Sequence, residues 1–365
     1  MSIPLPAGAT LHPLELPARA DAGTSPLIRE YAAVRNATIL ESTGRDDDAL
    51  TAEELLPTLY TTPDQERRQW YVELDGRIVG CCALDILKDD GGRMALAIVA
   101  LLDEVAGRGI GSAAYAHVER IARDAGVRSL LHWSEHHDDG PGRTPLASPT
   151  GFGTVPADRS ARFLAANGYR LEQVERASAL VWTDGTAAHL SALRDEAARH
   201  ATEYRVVQWT LPTPSEWVEG YAWMKSRMST DVPDADLGLP EEVWDADRVA
   251  RHEERYAQKG WTVLVTAAQH VGTGELCAFN ELAMTAANPA SATHQHDTLV
   301  LADHRGHRLG MLVKTAGLLG WRQRHPLSPK VITYNAEENR PMLSINEAIG
   351  FTPVAYEGAW KKDLT

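Results

Sequence analysis

Residues 93–126 read RMALAIVALLDEVAGRGIGSAAYAHVERIARDAG, and the fold follows from how this stretch is parsed. Arg93 to Leu102 is a short apolar run with the length of a buried strand. Gly107-Arg108-Gly109-Ile110-Gly111 comes next. A helix is then predicted over Ser112 to Asp124, with Tyr115, Val118, Ile121, Ala122 and Ala125 at helical spacing and Gly126 closing it. A second apolar strand, Val127 to Trp133, completes the unit. A strand, a glycine-bearing basic turn and a helix together make an anion site. The first N–H groups of the helix lack intrahelical partners, the helix dipole adds to them, and glycine lets the backbone approach a phosphate closely.

The same frame returns downstream. Asp297 to Ala302 is a short apolar strand, followed by His304-Arg305-Gly306-His307-Arg308-Leu309-Gly310. A helix over Met311 to Trp321 and a strand over Lys330 to Tyr334 come after it. Each copy closes alike, with a short helix leading into Gly168-Tyr169 or Gly350-Phe351. Gly111 and Gly168 are 57 residues apart, against 40 for Gly310 and Gly350, so the first copy holds 17 extra residues. They fall in Glu135 to Asp158, whose Gly, Pro, His and Asp content predicts an inserted loop that can cover a cleft. Two copies mean duplication rather than a solenoid.

Upstream, Arg68–Leu74 and Arg77–Leu87 predict a hairpin about Asp75-Gly76, and 261–268 with 275–285 predict another. Helices are expected before each hairpin, over 27–38 and 52–59, then over 215–229 and 241–258. The expected division is therefore an N-terminal domain over 1–183, a helical or partly helical linker over 184–202, and a C-terminal domain over 203–365.

Composition narrows the function. A chain of 365 residues exceeds the usual single domain, and 44% apolar with 24% charged residues is ordinary for a soluble globular protein. The net charge of −14 disfavours a nucleic-acid partner and suits a cationic one such as an amine. Three cysteines, two of them adjacent, make no disulfide framework, and no apolar run reaches membrane-spanning length. A cytoplasmic protein with no membrane partner is expected. His132, His136, His137, Asp138 and Asp139 lack metal-ligand spacing and read as part of a solvated loop, so no metal is expected.

The order of strand, Arg/Gln-x-x-Gly-x-Gly/Ala turn, helix, strand, short helix and Gly-Phe/Tyr strand resembles the GNAT superfamily. The tandem arrangement resembles mycothiol synthase-like two-domain proteins. The implied fold is α/β: two tandem GNAT-like domains, each a mixed, mostly antiparallel sheet flanked by helices. The implied cosubstrate is acetyl-CoA. Its binding residues would be Val300, Arg305, Gly306, His307, Arg308, Leu309, Gly310, Met311 and Asn339 in the second copy. In the first they would be Arg108, Gly109, Ile110, Gly111 and Ser112. The second copy departs from the family pattern at Arg308, where a glycine is usual, and the first at Ala106, where Arg or Gln is usual. Gly109-Ile110-Gly111-Ser112-Ala113-Ala114 also fits a dinucleotide-binding turn. Arg308-Leu309-Gly310 does not fit it, and a duplicated frame shares a cofactor class.

Acyl transfer to an amine needs a base, because an alkyl amine with pKa ~10.4 arrives protonated. The thioester is already activated, so the reaction needs no metal. The resemblance points to a carboxylate on the central strands, here Glu281 or Asp297, with His294 and His296 just before the fourth strand as relays. The family often has a tyrosine as general acid where this chain has Asn346, and Leu164 in the first copy. Asn346 cannot yield a proton, but a thiol with pKa near ~8.5 can leave as thiolate. Trp209, Trp217, Trp223, Trp244 and Trp261 belong to the second domain, as core or as acceptor-pocket lining. The expectation is an N-acetyltransferase acting on a small-molecule amine, with the C-terminal domain catalytic. Its alternatives are a non-catalytic CoA-binding sensor or scaffold, and a protein N-acetyltransferase.

Overall fold

The computed structural model describes residues 2–136 and 144–364. The N-terminal half contains strands β1 (Ile3–Pro4), β2 (Thr10–Pro13), β3 (Gln65–Leu74), β4 (Arg77–Leu87), β5 (Met94–Leu101), β6 (Ser129–His136), β7 (Pro145–Ala147), β8 (Thr154–Pro156) and β9 (Arg170–Val181). Its helices are α1 (Pro26–Thr43), α2 (Ala52–Leu55), α3 (Ile110–Asp124) and α4 (Arg159–Ala166). The C-terminal half contains helices α5 (Thr186–His200), α6 (Val218–Asp231), α7 (Ala246–Gln258), α8 (Leu309–Arg324) and α9 (Arg340–Ile349). Its strands are β10 (Tyr204–Thr210), β11 (Trp261–His270), β12 (Leu276–Thr285), β13 (Thr293–Val300), β14 (Lys330–Ala336) and β15 (Thr352–Asp363).

Two compact units result, and each takes its last strand from the other half of the chain. Unit 1 comprises Met1–Val174, Ala235–Leu239 and Ala355–Thr365; unit 2 comprises Glu175–Asp234 and Pro240–Val354. In unit 1 the strand order is β1-β2-β3-β4-β5-β6-β15, with Tyr356 to Asp363 antiparallel to β6. In unit 2 the order is β9-β14-β13-β12-β11-β10, with Glu175 to Val181 antiparallel to β14. All neighbours are antiparallel except β5 with β6 and β13 with β14. Each sheet is thus mixed, mostly antiparallel and flanked by helices. The exchange has a local reason. β9 and β15 hold the same place in the duplicated frame, each following a short helix and a glycine, and each pairs with the edge offered by the other copy.

Local chemistry sets the elements that frame the sites. Asp75 and Gly76 both have positive φ, 52° and 76°, which closes the β3–β4 hairpin with the twist two-residue loops require. Helix α2 begins with a capping box between Thr51 and Glu54, and Ser25 caps α1. The core of unit 1 packs Val72, Leu84, Ala95, Val118 and Leu130 between sheet and α3; that of unit 2 packs Tyr221, Met224, Val265 and Phe279 between sheet and α6.

The fourth strand of the second copy differs from the sequence reading. It starts at Thr293 rather than Asp297, so His294 and His296 lie within it. The stretch Thr293-His294-Gln295-His296 has no apolar run. Ladder bonds to β12 and β14 hold it extended, and tertiary pairing overrides the weak local signal. Strands β1, β2 and β10 were not expected either. Helix α7 starts at Ala246, capped by Asp245, rather than at 241.

Candidate active site

In both copies the parallel strand pair opens toward the turn. Strand β5 pairs with β6 only from Met94 to Leu96, although it continues to Leu101. Strand β13 pairs with β14 only from Thr293 to Gln295, although it continues to Val300. Each pair therefore leaves a slot between two strands whose facing backbone groups are unpaired across it.

At the mouth of each slot the chain turns into a helix. Gly109, with φ 77°, and Arg308, with φ 56°, are the residues before α3 and α8, and both hold left-handed backbone. Gly306 also has positive φ, 89°. Gly111 and Gly310 are cradles. A Cβ on Gly310 would lie 3.1 Å from Ile345 and 3.6 Å from Val300; on Gly111 it would lie 3.3 Å from Leu101 and 3.5 Å from Phe163. These glycines seat the helix start against the last residue of the open strand. The N-termini of α3 and α8 consequently present free N–H groups at the slot.

The flanking cations are engaged. Arg305 Nε donates to the Val300 carbonyl at 3.2 Å and its guanidinium lies 3.7 Å from Asp231. Arg308 pairs with Glu196, and Arg108 donates to the Glu104 carbonyl at 3.0 Å. His307 packs 5.5 Å from the Tyr204 ring. Leu309 is buried, Met311 is half-buried, and Ile110 and Ser112 open α3, buried and exposed respectively. Asn339 caps α9, its side chain accepting from Met342 N at 3.4 Å.

Strand β13 carries a bulge that β5 lacks. Asn280 pairs with Thr298 and Leu282 with Gln295, so Glu281 faces both His296 and Asp297. In unit 1 the register runs unbroken from Gly80↔Leu101 to Ile86↔Ala95. A bulge leaves one residue out of the ladder and re-aims its neighbours.

Glu281 is almost wholly buried on the α6 side of the bulge. Its Oε1 accepts from Tyr221 Oη at 2.6 Å and from Lys225 Nζ at 3.4 Å. Its Oε2 has no hydrogen-bond partner among the described residues. Burial raises the Glu281 carboxyl above the ordinary range and outweighs the pull of Lys225. Lys225 Nζ also pairs with Asp297. Burial opposes ionisation of Asp297, but the lysine charge prevails and holds it below its ordinary value. Lys225 itself is held above the usual lysine range by the two carboxylates, against burial. The two carboxylates are the ones the sequence reading named; Tyr221 and Lys225, which contact them, are not in it. Their i, i+4 spacing on α6, with Tyr221 in an apolar stripe, was the available signal.

Counting from the paired residues Ala278 and Val300, or Gly80 and Leu101, Glu281 corresponds to Ala83 and Asp297 to Ile98. Unit 1 thus has no carboxylate pair at this place.

An aromatic wall extends from Lys225, which sits 4.9 Å from the Trp244 ring. Trp244 meets His252 edge-on at 5.2 Å, His252 meets Tyr256 at 5.0 Å, and Trp261 stacks on His294 at 5.4 Å. Burial drives the His252 imidazole down to about 2, so the ring stays neutral. Trp209 stacks on Trp217 within the core, and Trp223 is exposed. Asn346 donates to Asn335 Oδ1 at 2.7 Å, while its own Oδ1 is buried and unpartnered among the described residues.

In unit 1, His136 forms a polar chain: Nδ1 bonds Asp158 at 2.7 Å and Nε2 bonds Ser134 at 2.8 Å, and Ser134 accepts from Trp360 Nε1. His132 bonds the Ala97 carbonyl. His137, Asp138 and Asp139 lie outside the described residues. Among the described residues no group of His, Cys, Asp or Glu is placed to hold a metal, and no helix is long and apolar enough to cross a membrane.

A parallel strand pair that opens at a left-handed turn and a helix N-terminus is the GNAT architecture, and this chain is a tandem GNAT-fold protein. Residues 35–152 match the family model described as Acetyltransferase (GNAT) family. Among solved structures the chain is similar to a tandem GNAT protein from the clavulanic acid biosynthesis pathway, without AcCoA. The TM-score is 0.71 and the identity 24%, covering 97% of this chain and 98% of that one. It is also similar to a GCN5-related N-acetyltransferase from Sphaerobacter thermophilus (TM-score 0.58, 16% identity, 98% and 96% coverage). N-myristoyltransferase from Saccharomyces cerevisiae shares the fold at TM-score 0.57 and 9% identity, covering 99% of this chain and 81% of that one. No curated protein sequence matches the chain.

Proposed function

We propose that the protein is an acyl-CoA-dependent N-acyltransferase whose unit 2 is catalytic, moving an acetyl group from acetyl-CoA to the amine of a small molecule. The observation that carries this reading is Glu281, a buried carboxylate with one free oxygen, raised in pKa and set opposite a strand bulge beside the slot.

The residues present fit the cosubstrate. The helix start at Leu309 and Gly310, with Gly306, His307 and Arg308 before it and Met311 after it, suits a pyrophosphate. Arg305 and Arg308 add charge at its rim, Val300 ends β13 on one side of the slot, and Asn339 caps α9 just after β14 on the other. Acetyl-CoA supplies the acyl group already activated as a thioester. Glu281 takes the proton from the incoming ammonium through its free oxygen, and a raised pKa brings it nearer the operating pH. Tyr221 and Lys225 fix the carboxylate in place. Asp297 stays ionised and balances Lys225. The bulge at His296 and Asp297 frees a backbone N–H to polarise the carbonyl. Trp244, Tyr256 and Trp261 form an apolar, π-rich wall for the acceptor, to which a cationic amine is attracted.

Unit 1 keeps the turn, through Arg108, Gly109, Ile110, Gly111 and Ser112, but has Ala83 and Ile98 where the carboxylates stand. It therefore binds the cosubstrate without turnover. Calorimetry with acetyl-CoA on the intact chain, Gly111→Glu and Gly310→Glu tests the assignment, together with turnover on a panel of amines. Two binding sites, with turnover lost only in Gly310→Glu, are expected. Turnover that survives Gly310→Glu and dies with Gly111→Glu would reverse the roles. Binding of a nicotinamide dinucleotide in place of acetyl-CoA would end the reading altogether.

A further inference from the structure

Lys314 stands on α8, one turn beyond Gly310, and is fully buried. Its Nζ has no hydrogen-bond partner among the described residues; the Phe351 ring, 5.7 Å away, is its recorded neighbour. An ammonium without a counter-charge in such a place is strongly disfavoured, and burial alone brings Lys314 down to about 7. A methionine would fill the same volume with no such penalty. The amine therefore calls for a reason beyond packing.

The surroundings supply one. Helix α8 packs on β13 and α9, and the turn above Lys314 touches both through Val300 and Ile345. Each of those elements carries a buried acceptor that is also unpartnered among the described residues: Gln295 Oε1 on β13 and Asn346 Oδ1 on α9. Their amide nitrogens are already committed, to Thr333 and Asn335 respectively. Three buried polar atoms without partners among the described residues, on α8 and on two elements packed against it, are what a missing polar ligand leaves behind. Unit 1 makes the contrast. Four residues after Gly111 stands Tyr115, edge-on to Tyr169 at 5.9 Å as Lys314 lies near Phe351. There the hydroxyl is met by Lys362 Nζ at 3.3 Å. The same helix position is satisfied in one copy and open in the other.

We propose that Lys314 meets the sulfur of the departing CoA in unit 2 and serves as its proton donor, in the absence of a tyrosine at position 346, which holds asparagine. This rests on unit 2 being the catalytic copy. As the carbon–sulfur bond breaks, its electron pair stays on sulfur and a proton on Nζ passes to it. The acyl carbon is now bonded to the acceptor nitrogen, whose proton Glu281 has taken; the products are the amide, a free thiol and a neutral Lys314, and solvent carries a proton from Glu281 back to Nζ before the next turnover. A lysine near neutrality can perform both halves of that cycle.

The test uses the full-length chain carrying Gly111→Glu, so that only unit 2 binds. CoA and desulfo-CoA, in which hydrogen replaces the thiol, are titrated by calorimetry with Lys314 intact and with Lys314→Met. With Lys314 present, CoA should bind on the order of tenfold more tightly, the scale of one charge-assisted hydrogen bond. With Lys314→Met the two ligands should bind alike, and the melting temperature should match or exceed the parent's. Equal binding of CoA and desulfo-CoA in the presence of Lys314 would overturn its role alone. A preference for CoA that persists in Lys314→Met would do the same, as would a lower melting temperature for that variant. If neither ligand binds with Lys314 intact, the assignment of unit 2 falls as well.

Discussion

Gly109 and Arg308 are the same residue position in two copies of one turn. Each precedes the helix at the mouth of its slot, and each holds left-handed backbone, at φ 77° and ψ −4° for the glycine and φ 56° and ψ 22° for the arginine. Glycine adopts this conformation without penalty, whereas any Cβ is crowded there. Arg308 persists with a surface partner, Glu196, and with both side chains about half exposed that pair contributes little.

Arg308→Gly should therefore raise the stability of unit 2 by about 1 kcal/mol, the usual cost of a non-glycine residue in this region. Denaturant unfolding of the two proteins side by side reads the difference. Acetyl-CoA affinity should fall at the same time if the guanidinium faces a phosphate. A variant that is both less stable and unchanged in binding would contradict the reading of the turn.

Glu281→Gln should lower turnover by about 10²- to 10⁴-fold, the range of a lost general base, while leaving acetyl-CoA binding intact. Because burial places the Glu281 carboxyl above the ordinary range, wild-type activity should climb with pH through that raised value as the base ionises. The variant should lose that acidic limb. Steady-state rates from acid to neutral pH decide it, and an unchanged profile would remove Glu281 from the mechanism.

Lys314 gives stability a pH signature. Its folded value, about 7, lies below the unfolded lysine value of 10.5, so the folded state binds fewer protons between the two. The penalty is full below the folded value and is relieved as pH rises through that window. Lys314→Met has no such penalty, so its advantage over the wild type should be largest below pH ~7 and shrink toward pH ~10. Melting temperatures across that range measure it.

A fragment ending at residue 183 should not fold as unit 1, because β6 would lack the β15 strand that pairs with it from Ser129 to His136. Trp360, whose indole N–H reaches Ser134 at 2.8 Å, would be lost too. Circular dichroism of the fragment, alone and with a peptide of residues 352–365, tests this. Native-like melting of the fragment alone would refute it.

Much of this was legible in the residues. The turns at Gly107–Gly111 and His304–Gly310 announced themselves because glycine and arginine there have few other uses, and the hairpin about Asp75-Gly76 follows from one dipeptide. Glu281 was named because the resemblance implies a carboxylate on the central strands, and Leu276–Thr285 holds no other acid. The bulge at His296 and Asp297 was not legible, since it exists only as a mismatch of register between two strands. Nor was the engagement of Lys225, which depends on a helix packing over that bulge. The exchange of β9 and β15 was not legible either, because it depends on which sheet edge each strand meets, and both strands hold the same place in the duplicated frame. Lys314 is the one charge in Leu309–Leu319, but its burial and its lack of a hydrogen-bond partner among the described residues come only with the packing.

That exchange governs the order of events at the ribosome. Residues leave the exit tunnel from the N-terminus onward, so the strand that pairs with β6 in unit 1 is made after all the other strands of both units. Unit 1 must wait through the synthesis of the entire second half with its β6 edge bare, while unit 2 already has β9 at hand. Of the two units the one begun first is completed second, and a chain cut after Val354 would spare the proposed catalytic unit and undo the other.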